Sequence, residues 1–218
     1  LYAVRQGSLR GYLVWLGVIG YLLYTYASYA FMTAFNELYL VYTTLLWLTL
    51  FTFVGGLARL DATQLRRRIG EHSVWPYVAF QILVVVLIGF AWLSEILPAI
   101  VTGNPPPSVA DAGLPTSVIY SFDLGIILPA FALSAYLLSH RRPWGYAFTA
   151  VLLVKVATLG AAVLAMAWFM IQDGAPVPLA QIVIFGLLTM FALVLMARFL
   201  IAVGPATESV EEATGPLS

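Results

Sequence analysis

Residues Trp144 to Ile171 read WGYAFTAVLLVKVATLGAAVLAMAWFMI, an apolar run interrupted by a single charge, Lys155. Arg141 and Arg142 precede the run and Gln172-Asp173-Gly174 follows it. As an α-helix rising about 1.5 Å per residue, a segment of this length crosses a hydrocarbon layer of about 30 Å. Lys155 then lies about 16 Å from the arginine-flanked end, near the middle of that layer. An ammonium at such depth costs several kcal/mol, so it must face protein, water or a carboxylate. Ala157, Ala161 and Ala165 recur at four-residue spacing, about 120° round the helix from Lys155. A row of small side chains lets a neighbouring helix come close. With two faces unsuited to lipid, this helix is expected at the centre of a bundle.

The whole composition agrees with a membrane class. Hydrophobic residues make up 62 % of the 218-residue chain and charged residues 9 %, against roughly a quarter charged in soluble domains. The hydropathy pattern predicts an all-α integral membrane protein, a bundle of six transmembrane helices at about 11–35, 38–57, 74–100, 117–138, 144–171 and 179–203. Residues 1–203 thus form one transmembrane domain, and 204–218, with three glutamates, are expected to be a disordered cytoplasmic tail. Leu1-Tyr2-Ala3-Val4 reads equally as a trimmed terminus or as the end of a further helix before Leu1.

Punctuation along the chain sets the expected boundaries. Asn36-Glu37 makes a tight turn, and Gly55-Gly56 is expected to end the second span. Asn104-Pro105-Pro106-Pro107 predicts an extended, non-helical loop carrying Asp111. Thr116 is the expected cap of the fourth span, which contains Asp123 and a mid-helix Pro129. In the first span Gly17, Tyr21, Tyr24 and Ser28 fall within about 40° of one another and should look into the bundle. Gln81, Ile88, Trp92 and Glu95 share one flank of the third.

The arginines give the orientation. Arg5, Arg10, Arg59, Arg66 to Arg68, Arg141, Arg142 and Arg198 all fall on one side of the six spans. The connections at 36–37, 101–116 and 172–178 contain no lysine or arginine. By the positive-inside rule both termini are cytoplasmic, in a multi-pass protein of the cytoplasmic (inner) membrane.

Little chemistry fits such a chain. It has no cysteine, which removes disulfides and thiolate catalysis. Its two histidines, His72 and His140, lie in turns between spans, so a bis-histidine haem is not expected. There is no GxSxG, HExxH, phosphate loop or dinucleotide fingerprint. An enzyme is therefore not expected, nor a cofactor or metal. Zero net charge gives no reason to expect nucleic acid. The candidate ligand or ion pathway is Lys155, Asp123, Glu95 and Tyr24, in a small translocator of an ion, proton or small solute. Asp123 and Lys155 are expected to form a buried ion pair, with Glu95 the second choice of carboxylate. The alternative is a non-catalytic membrane subunit or scaffold that docks a membrane-protein partner or a second copy through its helix faces. Lipid bilayer is the one partner both readings require.

The orientation is testable with single cysteines at Asp111 and Gln64. An impermeant thiol reagent should label the first from outside and the second only after permeabilisation; labelling of both from outside would overturn it.

Overall fold

In a computed structural model, which describes residues 7–203, the chain is helical throughout and no strand occurs among those residues. The helices are α1 (Leu9–Met32), α2 (Tyr39–Arg59), α3 (Ala62–Ile69), α4 (Trp75–Thr102), α5 (Pro107–Asp111), α6 (Val118–Phe122), α7 (Leu128–Ser139), α8 (Pro143–Gln172) and α9 (Leu179–Ala202). A π-helical turn, Asp123–Ile127, joins α6 to α7 into one span. Six spans are long and apolar enough to cross a membrane: α1, α2, α4, α6 to α7, α8 and α9. The protein is a polytopic membrane protein. The expected tail at 204–218 and any helix before Leu1 lie outside the described residues.

Most boundaries fall within a few residues of those expected, and the exceptions have local causes. Gly55-Gly56 does not end the second span, because α2 continues to Arg59. Gly56 is instead where α1 crosses: Tyr12 donates its hydroxyl proton to the Gly56 carbonyl (2.8 Å), and a Cβ on Gly56 would strike Leu16. Lipid supplies no competing hydrogen bonds, so a glycine pair breaks a helix less readily there than in water. The fourth span is capped by Ser117, not Thr116; its side chain accepts from the Tyr120 N–H at 3.3 Å. The proline run is extended only through Pro106, whereas Pro107 opens α5. Proline suits a first helical position, where no N–H is needed.

Helix α8 is the centre of the bundle. It packs against α1, α7 and α9 along its length and against α3 at the arginine-rich end. Helix α2 lies outside α1, and α4 outside α7. Three glycines make these contacts close. A Cβ on Gly17 of α1 would collide with Val154, and one on Gly160 of α8 with Thr189 of α9. At Gly145 it would strike the backbone of Leu137 and Leu138. The α7–α8 turn is tight because Arg141 adopts φ 51° and the Arg142 N–H returns to the Leu137 carbonyl at 2.8 Å. The ends of the bundle are also tied, since Arg10 Nε donates to the Val203 carbonyl at 2.9 Å.

The alanine row does not pack as expected within the chain. Ala157 is buried, but Ala161 and Ala165 are exposed. The close approach to α9 is at Gly160, where a Cβ would strike Thr189, and Ala157 and Ala167 are buried as well. Gly160 precedes Ala161 by about 100° of helix, so the tighter residue takes the contact and turns Ala161 outward.

Short helix α3 was not anticipated in the polar 59–72 segment. Asp61 caps it, accepting from the Gln64 N–H at 2.9 Å, and Gly70 ends it with φ 63°. Ala62, Leu65 and Ile69 are buried while Arg66 and Arg67 are exposed, so it lies amphipathically under the bundle.

Gly17→Leu should therefore destabilise the protein by roughly 1–3 kcal/mol, read as a lower melting temperature in detergent. Ala161→Leu should leave it unchanged. Equal effects of the two would contradict this packing.

Candidate functional site

Asp123 is placed by backbone chemistry. The Leu128 N–H bonds to the Asp123 carbonyl, five residues back. The next donor in that register would be Pro129, which has no N–H. The widened turn is thus confined to Asp123–Ile127. A π turn holds an extra residue and re-aims the side chains on either side of it. Here it aims Asp123 between α1 and α4. One carboxylate oxygen, Oδ1, accepts from the Tyr24 hydroxyl (3.0 Å). The other, Oδ2, accepts from Trp92 Nε1 (2.9 Å). Asp123 is only 8 % exposed, and these two donors replace the water it has lost.

Lys155 is 4 % exposed and approaches the same group from α8. Its ammonium lies over the Tyr24 ring, 4.2 Å from the centroid. A cation on the face of an aromatic ring is stabilised by the ring quadrupole, by about 2 kcal/mol where water is excluded. The expected direct Asp123–Lys155 ion pair is not formed. Among the described residues the one ion pair is Arg141–Glu71, at 4.0 Å and exposed. Tyr24 stands between the two charges, offering its hydroxyl to the carboxylate and its face to the ammonium. The geometry explains the difference. Asp123 has both oxygens occupied by donors from α1 and α4, and the tyrosine ring fills the approach from α8.

Glu95 does not join this group directly. Its Oε2 accepts from Ser108 Oγ (2.8 Å) and from the Tyr120 hydroxyl (2.7 Å), and those two hydroxyl oxygens are 2.6 Å apart. Ser108 reaches Glu95 only because α5 folds the proline segment back over the bundle. The Tyr120 ring then lies 5.0 Å from the Trp92 ring, and Trp92 holds Asp123. The four candidates therefore form a line: Glu95 and Tyr120 at the arginine-free end, then Trp92, Asp123, Tyr24 and Lys155 toward the centre. Beside Tyr120 a groove of about 720 Å³ opens, lined by Ile96, Val109, Leu124 and Gly125 among others.

A second polar group lies nearer the arginine-rich end. Gln81, Ser134 and Thr149 are fully buried. Gln81 Nε2 donates to Thr149 Oγ1 (3.1 Å) and to the Tyr77 carbonyl (3.2 Å). Ser134 Oγ is 3.2 Å from Thr149 Oγ1. Gln81 Oε1 has no partner among the described residues.

Trp92 and Tyr120 were not among the expected site residues. The spacing held a signal for Trp92, three residues before Glu95 on the same flank. Tyr120 carried the same kind of signal, three residues before Asp123 in the same span. Among the described residues no three His, Cys, Asp or Glu side chains converge to hold a metal ion.

Comparison with known proteins finds no matching family model, curated protein or solved structure. Function must then be read from the side chains themselves.

Removing one charge strands the other. Lys155→Met alone, which strands the carboxylate, should cost roughly 3–5 kcal/mol, and Asp123→Asn alone should also destabilise, whereas the two combined should recover much of the loss. Thermal unfolding of the single and double variants measures this, and additive losses would show that the two charges are not coupled.

Proposed function

We propose that the protein is a small translocator of protons or a small cation, with Asp123 as the loading group, Lys155 as its counter-charge and Tyr24 between them. The observation that carries this reading is the sharing of Tyr24 by two opposite, buried charges. A structural ion pair would be expected to close directly, because contact maximises the Coulomb gain that offsets desolvation. A separated pair can change occupancy without unfolding. With Asp123 ionised, the Lys155 charge is compensated across the tyrosine. A proton or cation arriving at Asp123 removes that compensation, so the two sites load and empty in opposition. Intramembrane ionisable groups most often mark such pathways, and the π turn at Asp123 is of a kind found often at functional sites.

Glu95 and Tyr120 supply the approach from the arginine-free end, where the connections hold no basic residue to repel a cation. The Gln81, Ser134 and Thr149 group supplies polar atoms toward the other end. One observation favours the alternative, a subunit that docks a partner helix: Ala161 and Ala165 face outward, where small side chains allow another helix to approach.

Purified protein in liposomes should carry a proton or alkali-cation flux above that of empty vesicles. The Asp123→Asn, Lys155→Met variant should fold and fall to the empty-vesicle level. A folded double variant with undiminished flux, or a wild type with none, would sink the reading.

A further inference from the structure

At the opposite end from this site, a second groove of about 630 Å³ lies between the end of α2, the end of α7 and the start of α8. Leu57, Ala58, Leu137, Pro143 and Phe148 make its apolar walls, and Arg142 and Trp144 complete its lining. Trp144 is 41 % exposed and packs on Phe148 with ring centroids 5.5 Å apart.

We propose that this groove binds one anionic phospholipid of the surrounding bilayer, with an acyl chain along Leu57, Leu137 and Phe148 and the phosphate at Arg142.

Four features argue for that occupant. The walls are apolar and lie at the ends of membrane spans, where acyl chains are the abundant apolar molecule. The exposed Arg142 side chain has no hydrogen-bond or carboxylate partner among the described residues, in contrast to Arg141, which pairs with Glu71. A guanidinium is well matched to a phosphate, since its planar fork offers paired donors. The charge of the whole end agrees. Arg59 follows Ala58, Arg66 and Arg67 are exposed on α3 close by in sequence, and every arginine among the described residues falls on this side. Basic pockets between spans attract anionic headgroups, by an amount equivalent to roughly a fivefold gain in affinity per arginine near the surface. Trp144 sits where a tryptophan anchors at the level of the headgroups. A zwitterionic lipid would fill the apolar walls equally well but gain less from Arg142. A free phosphate ion would use Arg142 and leave the walls empty.

The test is native mass spectrometry and thermal unfolding of delipidated full-length chain, titrated with phosphatidylglycerol, with phosphatidylcholine of the same acyl chains, and with inorganic phosphate. Phosphatidylglycerol should give a persistent one-to-one adduct and raise the melting temperature at lower concentration than phosphatidylcholine. Inorganic phosphate should do neither. Arg142→Gln should weaken phosphatidylglycerol binding roughly fivefold and phosphatidylcholine binding by less, so that the preference for the anionic lipid narrows, and Ala58→Trp should block both by filling the groove. Arg66→Gln, on α3 and outside the groove, should keep the one-to-one adduct and guards against a general charge effect. Equal binding of the two lipids, stabilisation by phosphate alone, or adducts indifferent to Arg142→Gln and Ala58→Trp would each overturn the proposal.

Discussion

Helices in hydrocarbon gain little from placing leucine against leucine, because lipid tails offer the same contacts. They associate where backbones can come close enough to add dispersion and hydrogen bonding. In this protein that condition is met on three sides of one helix. Gly17 admits Val154 of α8, Gly160 of α8 admits Thr189 of α9, and Gly145 lets α8 turn back against α7. Those contacts fix the depth and rotation of α8 relative to α1 and α7, and so decide what lies beside Lys155. The glycine at position 17 and the tyrosine at position 24 lie on one face of α1. A helix locked by the first presents the second to the ammonium.

The charges impose the complementary constraint. Asp123 and Lys155 lie inside an apolar bundle, and each is satisfied by groups from other helices. The carboxylate takes one donor from α1 and one from α4, while the ammonium takes an aromatic face from α1. Three spans meet at Asp123 and a fourth, α8, reaches the same tyrosine. Packing and polar satisfaction thus converge on the same rotation of the helices, which is the agreement between levels expected of a well-specified fold.

Much of this was legible in the sequence. Hydropathy locates all six spans because a membrane segment must be long, apolar and helical to satisfy its own backbone. That Lys155 and Asp123 lie inside the bundle follows from the cost of exposing a charge to lipid. Pairings between helices were harder to read. The row Ala157, Ala161 and Ala165 looked like the contact face, yet Gly160 out-competes it by allowing a closer approach. The direct ion pair was inferred from depth, but depth along a helix says nothing of what fills the space between two side chains. Here that space holds a tyrosine ring. Helices α3 and α5 escaped notice because each is too short for its periodicity to stand out beside arginines or prolines.

The wide turn at Asp123–Ile127 has a consequence for how this chain tolerates change in length. An ordinary helix absorbs no extra residue without rotating everything beyond it, by about 100° per residue. Here one surplus residue is already stored, held open on its far side by a proline that cannot donate. Shortening the chain by one position within this turn would restore even winding and leave Val118–Phe122 in phase with α7, because the wide turn holds its surplus residue without passing the rotation on. A residue added between Phe122 and Asp123 has no such store to enter and would turn Val118–Phe122 by about 100° around the axis of the span, so Tyr120 would leave Glu95 though both residues would still be present. In this segment the spacing between side chains is as much a part of the site as their chemistry.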